Sequence, residues 1–357
     1  MHAPSAPWPG LTAHGQPLGH AFGGPVLHGV VRATPEDFVV DEQLGFVPSG
    51  AGEHVMLRIE KRDANTAWVA GQLAALAGVP RRDVGFAGLK DRFAVTRQWF
   101  SVGLAGRPEP AWEALAETPG VRVLEALRHH RKLRRGALIG NRFRLRLRRV
   151  TGDTAAAHER LDAIVRRGFP NLFGPQRFGH GGRNLDAAWR LLDGSLRRVQ
   201  REQRSIYLSA ARSLLFNAVA AARLDDGSWE RALDGEALVL DGRQSFFIGA
   251  ADDAALPARL AALEIHPSGP LWGRGAIQVE RAAAAYEAAR LAPFAAWCAG
   301  LERLGLDAAR RALRARATDL AWSFDGDVLE LSFALPAGSY ATALLRELVA
   351  GDAPGVD

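Results

Sequence analysis

The chain has 357 residues, of which 48% are hydrophobic and 24% charged, with one cysteine and a net charge of +6. That length and apolar content support a sizeable core and two domains, and the ordinary charged fraction excludes wholesale disorder. A lone cysteine, Cys298, excludes an intrachain disulfide and a Cys-based zinc site, and no apolar run approaches the roughly 18 residues of a membrane helix.

The first 20 residues, MHAPSAPWPGLTAHGQPLGH, are rich in Pro, Gly and His. They lack the basic start and apolar stretch of a signal peptide, so residues 1–25 read as a loose arm and the default location is the cytoplasm. GVVRATPEDFVVDEQLGF (29–46) reads as extended segments around a Thr34-Pro35 turn, and HVMLRIEKR (54–62) alternates like a strand. Asn65 and Thr66 are natural caps for a helix over TAWVAGQLAALAG, which Gly78 and Pro80 stop. VGFAG and VTRQWFSVGL then read as strands with LKDRFA between them. Asp91 therefore falls on a loop held by a sheet, where reactive side chains are often found, although a loop Asp is more often a turn residue or an ion-pair partner.

The basic charge is concentrated. From Arg122 to Arg149 there are eleven Lys and Arg against one acid, Glu125, a local charge of +10 in a chain of +6. Concentration of this kind suits a polyanion-binding surface. Within it NRFRLRLRRV (141–150) is the clearest strand, with Phe143, Leu145 and Leu147 on one face and Arg144, Arg146 and Arg148 on the other. Two readings of that row stand side by side: a nucleic-acid-facing strand, or an edge strand kept soluble by charge.

Helical patterns take over near residue 152: DTAAAHERLDAIVRRG, then 205–224, then segments near 277–318. Strands return in LAWSF and DVLELSFALP, joined at Asp325-Gly326 as a hairpin. A last helix follows, with Ser339 as cap and Ala341, Leu344, Leu345 and Leu348 on one face. Strands, then helices, then strands describe an α+β sheet domain with a mostly helical domain inserted into it. The boundaries read as residues 1–165 and 315–357 for the sheet domain and 166–314 for the insert.

Metal and nucleotide chemistry have little support. His129 and His130 are adjacent and cannot both face one ion from a regular element. FGHGG (178–182) is glycine-rich but matches neither a P-loop nor a dinucleotide fingerprint, and no nucleophile elbow is present. Phe173 and Phe178 read as packing, and Arg197, Arg198, Arg201 and Arg204 as a solvated charge run.

GLKDRFAVTRQWFS, which contains Asp91, resembles the signature of the tRNA pseudouridine synthase D (TruD) family. ATPEDFVVDE (33–42), RHHRKLRRGALIGNRF (128–143), NLFGPQRFG (171–179), YLSAARSLLFN (207–217) and LPAGSYATALLREL (335–348) resemble further family motifs, in the same order. The resemblance implies a mixed-sheet pseudouridine synthase core with an inserted helical TRUD domain. It implies an isomerase that converts a D-arm uridine, position 13 of tRNA, to pseudouridine, with tRNA as partner, no cofactor and no metal, no membrane and no obligate protein partner. It places Asp91 as the catalytic aspartate and Arg32 at a position where the family carries a basic residue, more often lysine. Phe38, Asn141, Phe143 and Tyr340 fall at substrate-site positions. Periodicity alone assigns Phe143 to the core, whereas the resemblance assigns it to the substrate. Two alternatives stay open at this stage: an RNA-binding chaperone of the same fold without catalysis, and a pseudouridine synthase acting on another RNA.

Overall fold

A computed structural model describes residues 18–104, 106–134, 136–275 and 278–350. The chain divides into two compact units. The sheet unit comprises residues 25–158, 317–339 and the segment from 349; the second unit comprises residues up to 24, 159–316 and 340–348.

The sheet unit contains β1 (Leu27–Val31), β2 (Phe38–Leu44), β3 (His54–Arg62), α1 (Thr66–Leu76), β4 (Val84–Phe86), β5 (Val95–Gly103), β6 (Val121–His129) and β7 (Leu138–Gly152). α2 (Thr154–Arg167) starts there, with Asp153 Oδ1 accepting the amide of Ala156 as a cap. Later in the chain come β15 (Thr318–Asp325), β16 (Val328–Pro336) and β17 (Val349–Ala350). These strands form one mixed sheet, ordered β15-β16-β7-β2-β5-β3-β6, with β1 and β4 pairing onto β7 and β5. β2 and β5 run parallel, while β2–β7 and β16–β7 are antiparallel. Val55, Leu57 and Ile59 of β3 and Phe100 and Val102 of β5 pack against Val69, Ala70 and Leu73 of α1. Asn65 precedes that helix but makes no capping hydrogen bond with its side chain.

β7 is a central strand, which removes the edge-strand reading of its arginines. Its odd positions Phe143, Leu145 and Leu147 are buried, and its even positions face the opposite side of the sheet. There Arg142 pairs with Asp319, Arg146 with Glu330 and Arg148 with Asp37, while Arg97, Arg58 and Arg122 share Asp41, Glu60 and Glu125. Of the eleven Lys and Arg between 122 and 149, five (Arg122, Arg128, Arg142, Arg146 and Arg148) pair with acids among the described residues, so the concentrated basic charge of the sequence is partly offset in space.

The second unit holds β8 (Phe169–Pro170), α3 (Arg183–Leu192), α4 (Arg201–Asp225), β9 (Ala237–Leu240), β10 (Phe246–Ile248), α5 (Leu256–Ala261), β11 (Ile265–His266) and β12 (Ser268–Leu271). α6 (Arg281–Leu291), α7 (Ala295–Arg303), β13 (Ala309–Ala312), β14 (Arg314–Ala315) and α8 (Ala341–Leu345) complete it. The expected helical run to 318 ends at Arg303, and short sheets β10-β9-β11, β12-β13 and β14-β8 accompany the helices. α4 is the axis of its core: Leu208, Leu214, Leu215, Phe216 and Val219 are buried among Leu185, Leu192, Trp297 and Leu301. By length and composition α4 could cross a membrane, with mean hydropathy 1.2 over its best window, yet it packs as a core helix. The last helix starts after Tyr340, which takes the cap position expected of Ser339, and it belongs to this unit, not to the sheet.

Of the expected loose arm, residues 1–17 lie outside the described residues, and 18–24 are held in place. The buried carboxylate of Glu347 accepts the amide of Ala21, and Arg346 donates to the carbonyls of Leu18 and Gly19. A buried acid needs donors, and this segment supplies one.

Candidate active site

β4 and β5 present the loop 87–94 above the face of the sheet that carries Phe38 and Phe143. Four buried or half-buried polar contacts fix it. Gln98 of β5 donates from Nε2 to the carbonyl of Gly88 at 2.6 Å, and Thr66 of α1 donates from Oγ1 to Gln98 Oε1 at 2.9 Å. The amide of Lys90 donates to Thr66 Oγ1 at 3.1 Å. Lys61 of β3, fully buried, donates from Nζ to the carbonyls of Asp91 at 2.8 Å and Ala64 at 2.7 Å. The Lys90 ammonium lies 2.5 Å from the buried carboxylate of Glu42, whose other oxygen accepts the amide of Trp99. Burial pushes the Glu42 carboxyl up against the pull of Lys90, and burial pushes the Lys61 ammonium down to about 8, against the pull of Asp91.

With the backbone tied down, the Asp91 side chain is left 29% exposed. Its Oδ2 accepts from Arg32 at 2.6 Å, across 59 positions of sequence. Arg32 follows β1 and is itself buried, with φ at +63°, a left-handed backbone that a non-glycine residue adopts only when its surroundings enforce it. The enforcement is visible. The guanidinium lies 3.7 Å over the centroid of the Phe38 ring while one amino group reaches Asp91. The guanidinium lies over the ring and donates to the acid at once, from a planar fork of donors that a lysine ammonium does not have.

Phe38 stands edge-on to Phe143, and Phe143 stacks on Phe333 of β16 at 5.4 Å between centroids. Phe38 and Phe143 are 2% and 6% exposed. The two rings are thus the floor beneath the Arg32–Asp91 pair, not open platforms for a base. The strand parity of Phe143 with Leu145 and Leu147 determines this. Asn141 shares that parity, and its Oδ1 is buried without a hydrogen-bond partner among the described residues. Such an acceptor is costly unless something else supplies a donor. The arginines of β7 project from the opposite face and do not line this site.

Comparison with known proteins identifies the chain. A family model described as tRNA pseudouridine synthase D matches residues 20–187 and 183–348. The chain belongs to the tRNA pseudouridine synthase D family. Family members are isomerases. A protein named tRNA pseudouridine synthase D from Methylococcus capsulatus is 52% identical over 339 residues, covering 95% of this chain and 96% of its own length. One of the same name from Nitrosococcus oceani is 51% identical over 333 residues, covering 92% and 93%. A crystal structure from Methanosarcina mazei, described as a tRNA pseudouridine synthase D, matches with a TM-score of 0.67 at 19% identity, over 92% of this chain and 95% of that one. At that identity it speaks for the fold alone, a mixed sheet with helices, as described above.

For a member of this family, the structure brings together four of the six residues singled out in sequence, Asp91, Arg32, Phe38 and Phe143, with Asn141 on the same strand face. Tyr340 lies in the second unit, where its hydroxyl bonds Arg177 and its ring lies near Phe173. Arg177 also donates to Ser209, so its partners are hydroxyls rather than an acid. The residues that hold the loop, Lys61, Thr66, Gln98, Glu42 and Lys90, were not legible as site residues. The one hint was the rarity of lysine: Lys61 and Lys90 are two of only three in the chain. Among the described residues no group of three or more His, Cys, Asp or Glu is placed to hold a metal.

Proposed function

We propose that Asp91 is the catalytic group of a tRNA pseudouridine synthase acting on the D-arm uridine at position 13. The observation that carries this reading is the Arg32–Asp91 pair: a half-exposed carboxylate, held on a clamped loop, with a buried guanidinium on one oxygen and the other left for substrate. The guanidinium fixes one carboxylate oxygen in place, and a carboxylate held on a fixed loop with an oxygen facing outward is a competent nucleophile or base. The reaction breaks the bond from ribose to uracil nitrogen, turns the base, joins it through carbon and releases the proton from that carbon. Asp91 serves it by attack on the ribose or by addition to the base. Asn141 lies on the same strand face, and an amide there is of the kind that reads the edge of a turned-out uracil, while Phe38 and Phe143 exclude water from below.

The test is to incubate the protein with unmodified tRNA and map pseudouridine chemically. The wild type should modify one D-arm uridine. Asp91→Asn should abolish product and bind tRNA with affinity near that of the parent. Normal turnover by the Asn variant would overturn the assignment.

A further inference from the structure

The clamp that holds Asp91 has a second consequence two residues earlier. The carbonyl of Gly88 is tied to Gln98 and the amide of Lys90 to Thr66, and the Lys90 side chain is turned inward onto Glu42. Leu89 lies between these two anchored residues and is left 67% exposed. Phe93, two residues beyond Asp91, is 37% exposed. A single exposed leucine is ordinary on a protein surface. Two large apolar side chains placed at −2 and +2 of a reactive acid, on a segment whose backbone is hydrogen-bonded at Gly88, Lys90 and Asp91, are not scattered exposure.

A uridine within folded RNA must leave its stack before an acid can reach it, and the gap it leaves is unfavourable. Proteins that unstack bases commonly fill such gaps with apolar wedges such as Leu, Phe or Met. A wedge works only if it is rigid, because a side chain that must first be ordered loses part of the gain. We propose that Leu89 is this wedge: it enters the stack beside the target uridine and holds the base out toward Asp91, with Phe93 as a second apolar contact. Leu89 takes the leading role because it is the more exposed and is anchored on both sides. The proposal rests on the reading of Asp91 as the group that reacts with an RNA uridine.

The test uses the full-length Asp91→Asn protein and a tRNA carrying 2-aminopurine next to the mapped target uridine. Unstacking raises its fluorescence. With Leu89 intact, binding should give a rise; in the Leu89→Ala, Asp91→Asn protein the rise should largely disappear while tRNA affinity changes by less than about threefold. In the active protein, Leu89→Ala should slow single-turnover product formation by about tenfold or more, and Leu89→Met should recover most of it. A full fluorescence rise without Leu89 overturns the proposal, whatever the rate, and so does an unchanged rate. Failure of the underlying reading has a different signature: Asp91→Asn protein that still forms pseudouridine.

Discussion

Replacing Lys61 by Met tests the clamp without touching the reactive carboxylate. Lys61 Nζ is fully buried and bonds two carbonyls, those of Ala64 and Asp91. Burial lowers its pKa from the ordinary 10.5 to about 8. The unfolded chain keeps this proton up to 10.5 while the folded protein releases it near 8, so between those values the unfolded state binds more protons and stability rises with pH. Relative to an unperturbed lysine, the charged form costs the fold about 3 kcal/mol at pH 7, and about 2 kcal/mol of that is recovered by pH 9.5. Lys61→Met removes this titration but strands two carbonyls, at about 1–3 kcal/mol each. The two effects largely offset near neutrality, so the variant should lie within about 2 kcal/mol of the parent at pH 7. At pH 9.5 the parent should lead by about 2 kcal/mol more. Urea unfolding of both proteins, followed by tryptophan fluorescence at the two pH values, measures the difference directly. Pseudouridine formation by the variant should fall by about tenfold or more, because the Asp91 carbonyl loses its anchor. A stability difference identical at the two pH values would refute the buried-ammonium account.

The other expectations concern side chains that touch the pair or the sheet. Arg32→Lys should lower kcat/KM by about tenfold, since the stack on Phe38 is lost, and Arg32→Ala should lower it further; equal activity in all three would remove Arg32 from the site. Asn141→Leu deletes an unsatisfied buried acceptor, so urea unfolding should show stability unchanged or about 1 kcal/mol higher, while kcat/KM falls by about 100-fold. Arg146→Ala breaks a half-exposed pair with Glu330 on the opposite sheet face and should change stability by less than about 1 kcal/mol. The salt dependence of tRNA binding by that variant should match the wild type, and a slope reduced by about one unit would show that this face meets phosphate after all.

The sheet was legible in sequence where alternation was strong. β3, β5 and β7 follow the expected strands, and Asp91 falls on the loop between two of them. The caps were less legible: Asn65 and Ser339 have the right chemistry, but Thr66 is engaged with Gln98 and Lys90, and the last helix begins after Tyr340. Local propensity cannot foresee a tertiary partner. The arginine row shows the same limit. Its alternation gave the parity of β7 correctly, but parity does not say which acids face the row, and Asp319, Glu330 and Asp37 come from elsewhere in the chain. The small sheets of the second unit escaped because strands of two to four residues carry too little pattern to read. The resemblance named Asp91 and Arg32 together, and only the fold shows why they meet: Arg32, the left-handed residue just after β1, lays its guanidinium over Phe38 and reaches Asp91.

The two cations at Asp91 divide their work in a way that bears on pH. Arg32 contacts the carboxylate, and a guanidinium does not lose its proton in proteins. Lys61 contacts only backbone carbonyls, and it is the cation that burial brings into the titrating range. Deprotonated, its amine still carries two hydrogens, enough for the Ala64 and Asp91 carbonyls, so the loop geometry survives the loss of charge. Stability and catalysis should therefore separate: stability climbs above about pH 8, while the single-turnover rate shows no step there due to Lys61. A rate that fell with a midpoint near 8, in parallel with the stability change, would show instead that the ammonium charge itself acts on the reaction. The lysines and arginines around Asp91 thus differ in task as well as in kind, with Lys90 held by Glu42, Lys61 holding the loop and Arg32 bonded to the carboxylate itself.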